Sequence, residues 1–129
     1  MTDNSLKLIG ECESRIDAEN ISGLKTFLKK NDFPMDEEYY LWIDNSLLNT
    51  GRGNGAAVGA HGLALKDKDA IYLLWTDIDG FRRQGKMIYV DNKKKPGNSC
   101  RIDTKTNEEE FHNGLLDTLK DCRQLSVNK

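Results

Sequence analysis

No apolar run in the chain approaches the roughly 20 residues that span a bilayer; AIYLLW at 70–75 is typical of its longest. The start, MTDNSLKLIGECES, lacks the basic opening and apolar stretch of a secretory signal. Cysteine is scarce as well. Cys12, Cys100 and Cys122 are an odd number, widely spaced, with no C-x-x-C pair. Without an export signal, reduced thiols and a cytoplasmic location are the expectation. Histidine occurs only at 61 and 112. A zinc site needs three or four closely spaced ligands, and no Cys or His pair supplies two. His61 reads as a residue leading into a strand, His112 as one on the exposed flank of a helix.

What is present suits one globular domain. The 129 residues are 37% hydrophobic and 31% charged, too rich in aliphatic and aromatic side chains for disorder. A chain of this length buries roughly two-thirds of its unfolded surface. Three stretches are expected: a helical segment over 1–35, antiparallel strands over 36–106 and a helix over 107–123. Ile16, Ile21, Leu24, Phe27 and Leu28 recur at helical spacing, with Ser14 as cap, and Pro34 ends the helix. Residues 1–13 read equally as a short helix or a frayed end. Strands are expected at 39–43, 62–66, 70–75, 86–90 and 100–103, divided by Asp67-Lys68-Asp69, Gln84-Gly85 and Pro96-Gly97. Period-two alternation places Ile71, Leu73 and Trp75 on one face, under a helical stripe of Phe111, Leu115, Leu119 and Cys122. Thr106 and Glu109 have capping-box spacing. The fold class is α+β: a bent antiparallel meander with an N-terminal helix and a C-terminal capping helix.

One stretch looks like a site. NTGRGNGAAVGAHGLAL (49–65) holds Gly51, Gly53, Gly55, Gly59 and Gly62, and Gly51–Ala56 satisfies G-x-G-x-x-G/A. A dinucleotide fold needs a helix to start there, since its N-terminal amides hold the pyrophosphate. Three glycines in that would-be helix cost roughly 1 kcal/mol each against alanine. No lysine followed by Ser or Thr completes a Walker loop. The stretch is therefore expected to be a flexible or bulged connection whose glycines supply positive φ, and no cofactor is expected. Carboxylates cluster at Asp36-Glu37-Glu38, Asp77/Asp79 and Glu108–Glu110. The first and last read as turn or helix-end charges, while Asp77 and Asp79 share a strand parity. No calcium loop is complete.

Asp44, Ser46, Leu47, Leu48 and Gly51, then Gly62, Leu63, Ala64, Leu65 and Tyr72, then Trp75, Asp77 and Ile78 follow one another in a recognisable order. DEEYYLWIDNSLLNTGRGNG, HGLALKDKDAIY and LLWTDI resemble bacterial pleckstrin-homology-like domains of the YokE-like kind, over about two-thirds of the chain. Asp69-Ala70 stands where that family has a turn glycine, and Tyr72 lies nearer Trp75 than is usual there. The resemblance implies a nearly orthogonal antiparallel sheet capped by the last helix, used for binding, with no catalytic motif.

Charge is unevenly spread. Residues 81–105 hold eight basic side chains and two acidic ones, a segment of +6 that leaves −8 elsewhere for the total of −2. Arg82, Arg83, Lys86, Lys93, Lys94, Lys95 and Arg101 are the candidate binding residues for an anionic partner. A solvated hairpin tip has the same composition. Nucleic acid is disfavoured by a pI near 5.7 and by Tyr89 being the one aromatic amid the basic run. A non-catalytic binding or scaffold module acting through protein contacts or self-association is the leading expectation. A peripheral module for anionic lipid, using the hairpin 82–101, is the alternative, and an enzyme without a recognisable motif comes third.

Overall fold

The computed structural model describes residues 18–45, 53–94 and 99–127. Ser14, the choice over 1–13, Cys12, Ile16, Ser46–Leu48, Gly51, Lys95 and Pro96-Gly97 lie outside them.

Helix α1 (Ala18–Lys30) carries Lys29 and Lys30 in its last turn, where cations suit the negative helix end. It stops in a Schellman motif. Asp32 adopts φ 57°, its N–H reaches Lys29 O at 3.3 Å, and the Phe33 N–H reaches Leu28 O at 2.9 Å. Phe33 folds back among Phe27 and Leu28, so the stop is set before Pro34.

Among the described residues seven strands follow: β1 (Tyr39–Asp44), β2 (Gly55–Gly59), β3 (Gly62–Asp67), β4 (Asp69–Leu74), β5 (Ile78–Gln84), β6 (Met87–Asn92) and β7 (Ser99–Asp103). They form two antiparallel sheets, ordered β1-β2-β3-β4 and β5-β6-β7. Helix α2 (Glu109–Val127) is the last described element and runs past the expected end at 123. The α+β class holds, with a helix at each end of the described chain.

The four-stranded sheet is covered on both faces. Cross-strand pairing lines up Trp42, Ala57, Ala64 and Tyr72 in one row. The two alanines leave a trough between the aromatics, and Phe27 and Phe33 of the α1 end fill it. The Phe27 ring lies tilted 4.8 Å from Trp42, and Phe33 lies 6.5 Å from Tyr72. The opposite face carries Leu41, Ala56, Val58, Leu63, Leu65 and Leu73 into the main core. There they join Ile88, Val90 and Ile102 of the second sheet and Leu115, Leu119 and Cys122 of α2. Ile71 and Phe111 pack at its margin.

Three expectations need correction. Gly55–Gly59 is a strand, buried at every residue, and not a bulged connection. Its glycines serve close approach: a Cβ at Gly55 would lie 2.5 Å from Ile43 O, and among described glycines only Gly85 has positive φ. Trp75 is not in a strand. It begins a single 3-10 turn, Trp75–Asp77, fully buried, with its indole N–H donated to Gly59 O at 2.9 Å. Residues 78–84 form the further strand β5, interrupted by a register shift between Ile78 and Gly80. Asp79 falls in that irregularity while Asp77 sits in the turn, so strand parity does not bring the two together.

Candidate functional site

Strand β6 alternates strictly: Ile88, Val90 and Asn92 are buried, whereas Met87, Tyr89 and Asp91 are half-exposed. The pairing therefore gives the three-stranded sheet an outward face. Its central row is Arg82–Tyr89–Arg101, one residue from each strand. The Arg82 guanidinium lies 5.6 Å from the Tyr89 ring centroid, within cation–π range. It also grips Asp91 with two donors, Nε to Oδ2 at 3.2 Å and Nη2 to Oδ1 at 3.1 Å. Arg101 Nε donates to Asp67 at the end of β3, tying one sheet to the other. Both guanidiniums are held even more firmly protonated, Arg82 chiefly by its hydrogen bond to Asp91 and Arg101 by those to Asp67 and Tyr89. Each arginine is thus oriented by a carboxylate, and Tyr89 is flanked by both.

The remaining basic candidates go elsewhere. Arg83 projects toward the core side, where Nη1 meets Glu109 at 2.8 Å and Nη2 donates to Asn107 O at 3.2 Å. It fastens β5 to the start of α2. Lys94 pairs with Asp77 at 3.3 Å, and the Lys93 backbone N–H donates to Asp77 O at 2.8 Å. Lys86 and Lys93 are exposed. The structure brings Arg82 and Arg101 together around Tyr89 and sends Arg83 and Lys94 to other neighbours. Asp67, Asp77 and Glu109 all come from outside residues 81–105, so the formal +6 of that segment overstates its local charge.

The histidines divide. His61 is exposed in the β2–β3 turn. His112, expected on an exposed flank, is completely buried. Its Nε2–H donates to Thr106 O at 2.7 Å, with Thr104 Oγ1 at 3.0 Å. Nδ1 is buried without a hydrogen-bond partner among the described residues. Thr104 in turn donates to Lys86 O at 2.7 Å, so this histidine knits the β5–β6 turn, the end of β7 and the start of α2. The capping-box spacing is used differently: Thr106 Oγ1 accepts the Glu108 N–H at 3.1 Å, while Glu109 turns to Arg83. Burial pushes the Cys122 thiol up to about 12, the state of a packed and unreactive cysteine. Among the described residues no cluster of three His, Cys, Asp or Glu side chains could hold a metal ion.

A second constellation was not legible as a site. Glu37, between α1 and β1, lays its carboxylate against the β2–β3 turn. Oε1 accepts the His61 N–H and, at 2.9 Å, the Gly62 N–H; Oε2 accepts the Tyr72 hydroxyl. The next backbone carbonyl, Glu38 O, takes the Ala60 N–H at 2.9 Å. Three successive amides thus point at one acidic strap. Burial, followed by the hydrogen bond to and charge of Glu37, raises the Tyr72 hydroxyl well above its ordinary range. Burial and the same carboxylate raise Tyr39.

Compared with known proteins, the chain matches no family model, and no curated protein matches it.

Proposed function

We propose that this chain is a non-catalytic binding module of pleckstrin-homology-like type, acting in the cytoplasm through contacts with another protein or with its own copies. Support for the architecture is the arrangement itself: a four-stranded then a three-stranded antiparallel meander, followed by a C-terminal helix. No helix among the described residues is long and apolar enough to cross a membrane.

The observation that carries the binding reading is the outward row Arg82–Tyr89–Arg101. Tyrosine, arginine and methionine are the residue types enriched in protein interfaces, and Met87 shares this face. Arginines already oriented by Asp91 and Asp67 lose less rotamer freedom when a partner docks. Those carboxylates also offset the positive charge, which favours a mixed protein surface over a lipid headgroup layer. A polybasic patch gains roughly 1 kcal/mol per basic residue beside anionic lipid only while its charge is uncompensated.

Sedimentation equilibrium with wild type and Tyr89→Ala, beside flotation on vesicles rich in phosphatidylserine, tests the proposal. Concentration-dependent association weakened by Tyr89→Ala, with little flotation at physiological salt, is the expected result for self-association. For a different protein partner, site-specific photocrosslinks from position 89 are the expected product. Strong flotation abolished by lysine replacement at 93–95 would replace this reading with the lipid one.

A further inference from the structure

We infer that the β2–β3 turn, together with Tyr72, is a carboxylate receptor that the chain fills with its own Glu37. The site is separate from the Arg82–Tyr89–Arg101 face and does not depend on it. Successive backbone N–H groups aimed at one point form an anion-binding concavity. Here the His61 and Gly62 amides converge on one oxygen and the Tyr72 hydroxyl takes the other, so the donors read a planar two-oxygen anion.

The cradle is shaped to its guest. A Cβ on Gly59 would stand 2.6 Å from the Glu37 carboxyl carbon, and one on Gly62 would stand 2.7 Å from the Tyr72 hydroxyl. Alanine at either position would intrude on the carboxylate or on its donor. The turn is also held independently of Glu37. Its carbonyls at Gly59 and His61 accept the indole and backbone N–H groups of Trp75, at 2.9 and 3.2 Å. Trp75 is anchored in the core, so the donors remain in place when the guest leaves.

The guest, in contrast, sits on a strap. Met35, Asp36 and Glu38 around Glu37 are exposed, and Glu37 itself is only half-buried. Withdrawing its side chain requires no opening of the core beneath. A tethered guest has a high effective concentration, so a free carboxylate competes poorly with Glu37 and binds readily only once it is removed. In the native chain Glu37 acts as a built-in occupant, which a carboxylate-bearing ligand must displace.

Formate is the probe, with urea unfolding and amide NMR as readouts. In Glu37→Ala, the unfolding midpoint should rise with the logarithm of formate concentration above its dissociation constant, relative to chloride at equal ionic strength. The His61 and Gly62 amide protons should move downfield in parallel. Wild type and Glu37→Gln, whose cradle is still filled, should show neither effect, and Glu37→Ala with Tyr72→Phe should respond more weakly than Glu37→Ala alone. A Glu37→Ala protein whose midpoint follows ionic strength alone overturns the inference. So does one that stays unfolded at every formate concentration, or one in which amides remote from the turn shift instead.

Discussion

The indole of Trp75 donates its one N–H to the carbonyl of Gly59, at 2.9 Å inside the core. This bond joins the 3-10 turn between the two sheets to the end of the strand buried on both faces. Trp75→Phe keeps most of the ring but leaves a buried carbonyl without that donor. A buried acceptor stripped of its partner costs about 1–3 kcal/mol, to which the lost ring volume adds. Urea denaturation should show the midpoint falling accordingly with an unchanged slope.

Leu115 is fully buried where α2 meets both sheets, in one cluster with Leu73, Ile88 and Leu119. Leu115→Ala should cost about 2–5 kcal/mol, as buried large-to-small changes do. Leu125→Ala, two turns and more further on at a 54% exposed position, should cost far less. Equal denaturation midpoints for the two variants would contradict this placement of the core.

Among the described residues, both helices and five of the seven strands were legible because period and turn chemistry announced them. β2 was not, and the reason is packing. G-A-A-V-G has poor strand propensity, but Ala57 must admit the α1 aromatics while Ala56 and Val58 face the main core. Tertiary context decided the strand, against local preference. β5 escaped because the irregularity between Ile78 and Gly80 breaks its alternation. At the site, counting charge along 81–105 ignored carboxylates that folding delivers from Asp67, Asp77 and Glu109. Tyr89 was visible only as an isolated aromatic, since the row that flanks it with two arginines exists only in the register of three strands. Glu37 read as a turn charge because two of its three donors are backbone amides, which carry no residue signature, and the third, Tyr72, lies 35 residues along the chain.

Alkaline pH should destabilise the fold early. Tyr72, Tyr39 and Cys122 all ionise above their ordinary values of 10.0, 10.0 and 9.0 in the folded chain, first because they are buried. Between the two values the unfolded chain releases protons that the folded chain keeps. The contribution of these groups is therefore complete below about pH 9 and is lost progressively as pH rises through the folded values. Thermal melts from pH 8 to 11 should show a falling midpoint. The fall should be shallower in Tyr72→Phe, which has no hydroxyl to ionise, even though that variant starts from a lower midpoint through loss of the Glu37 contact.

The basic residues should separate into two classes when replaced. Lys94 is well exposed and pairs with Asp77 at 3.3 Å, an arrangement worth about 0–1 kcal/mol at most. Glutamine at 93, 94 and 95 should therefore leave the denaturation midpoint almost unchanged. Arg83 differs in being better buried and in holding both Glu109 and the Asn107 carbonyl beside the first turn of α2. Arg83→Gln removes a charge-assisted link between β5 and that helix and should lower the midpoint clearly more than the triple lysine change. Association should show the reverse order for a partner steered by exposed charge, because Lys93 and Lys94 face solvent whereas Arg83 is half-buried and held by Glu109. Measured between 50 and 300 mM salt, the triple variant should then give the flatter dependence of association rate on ionic strength, with Arg83→Gln following wild type.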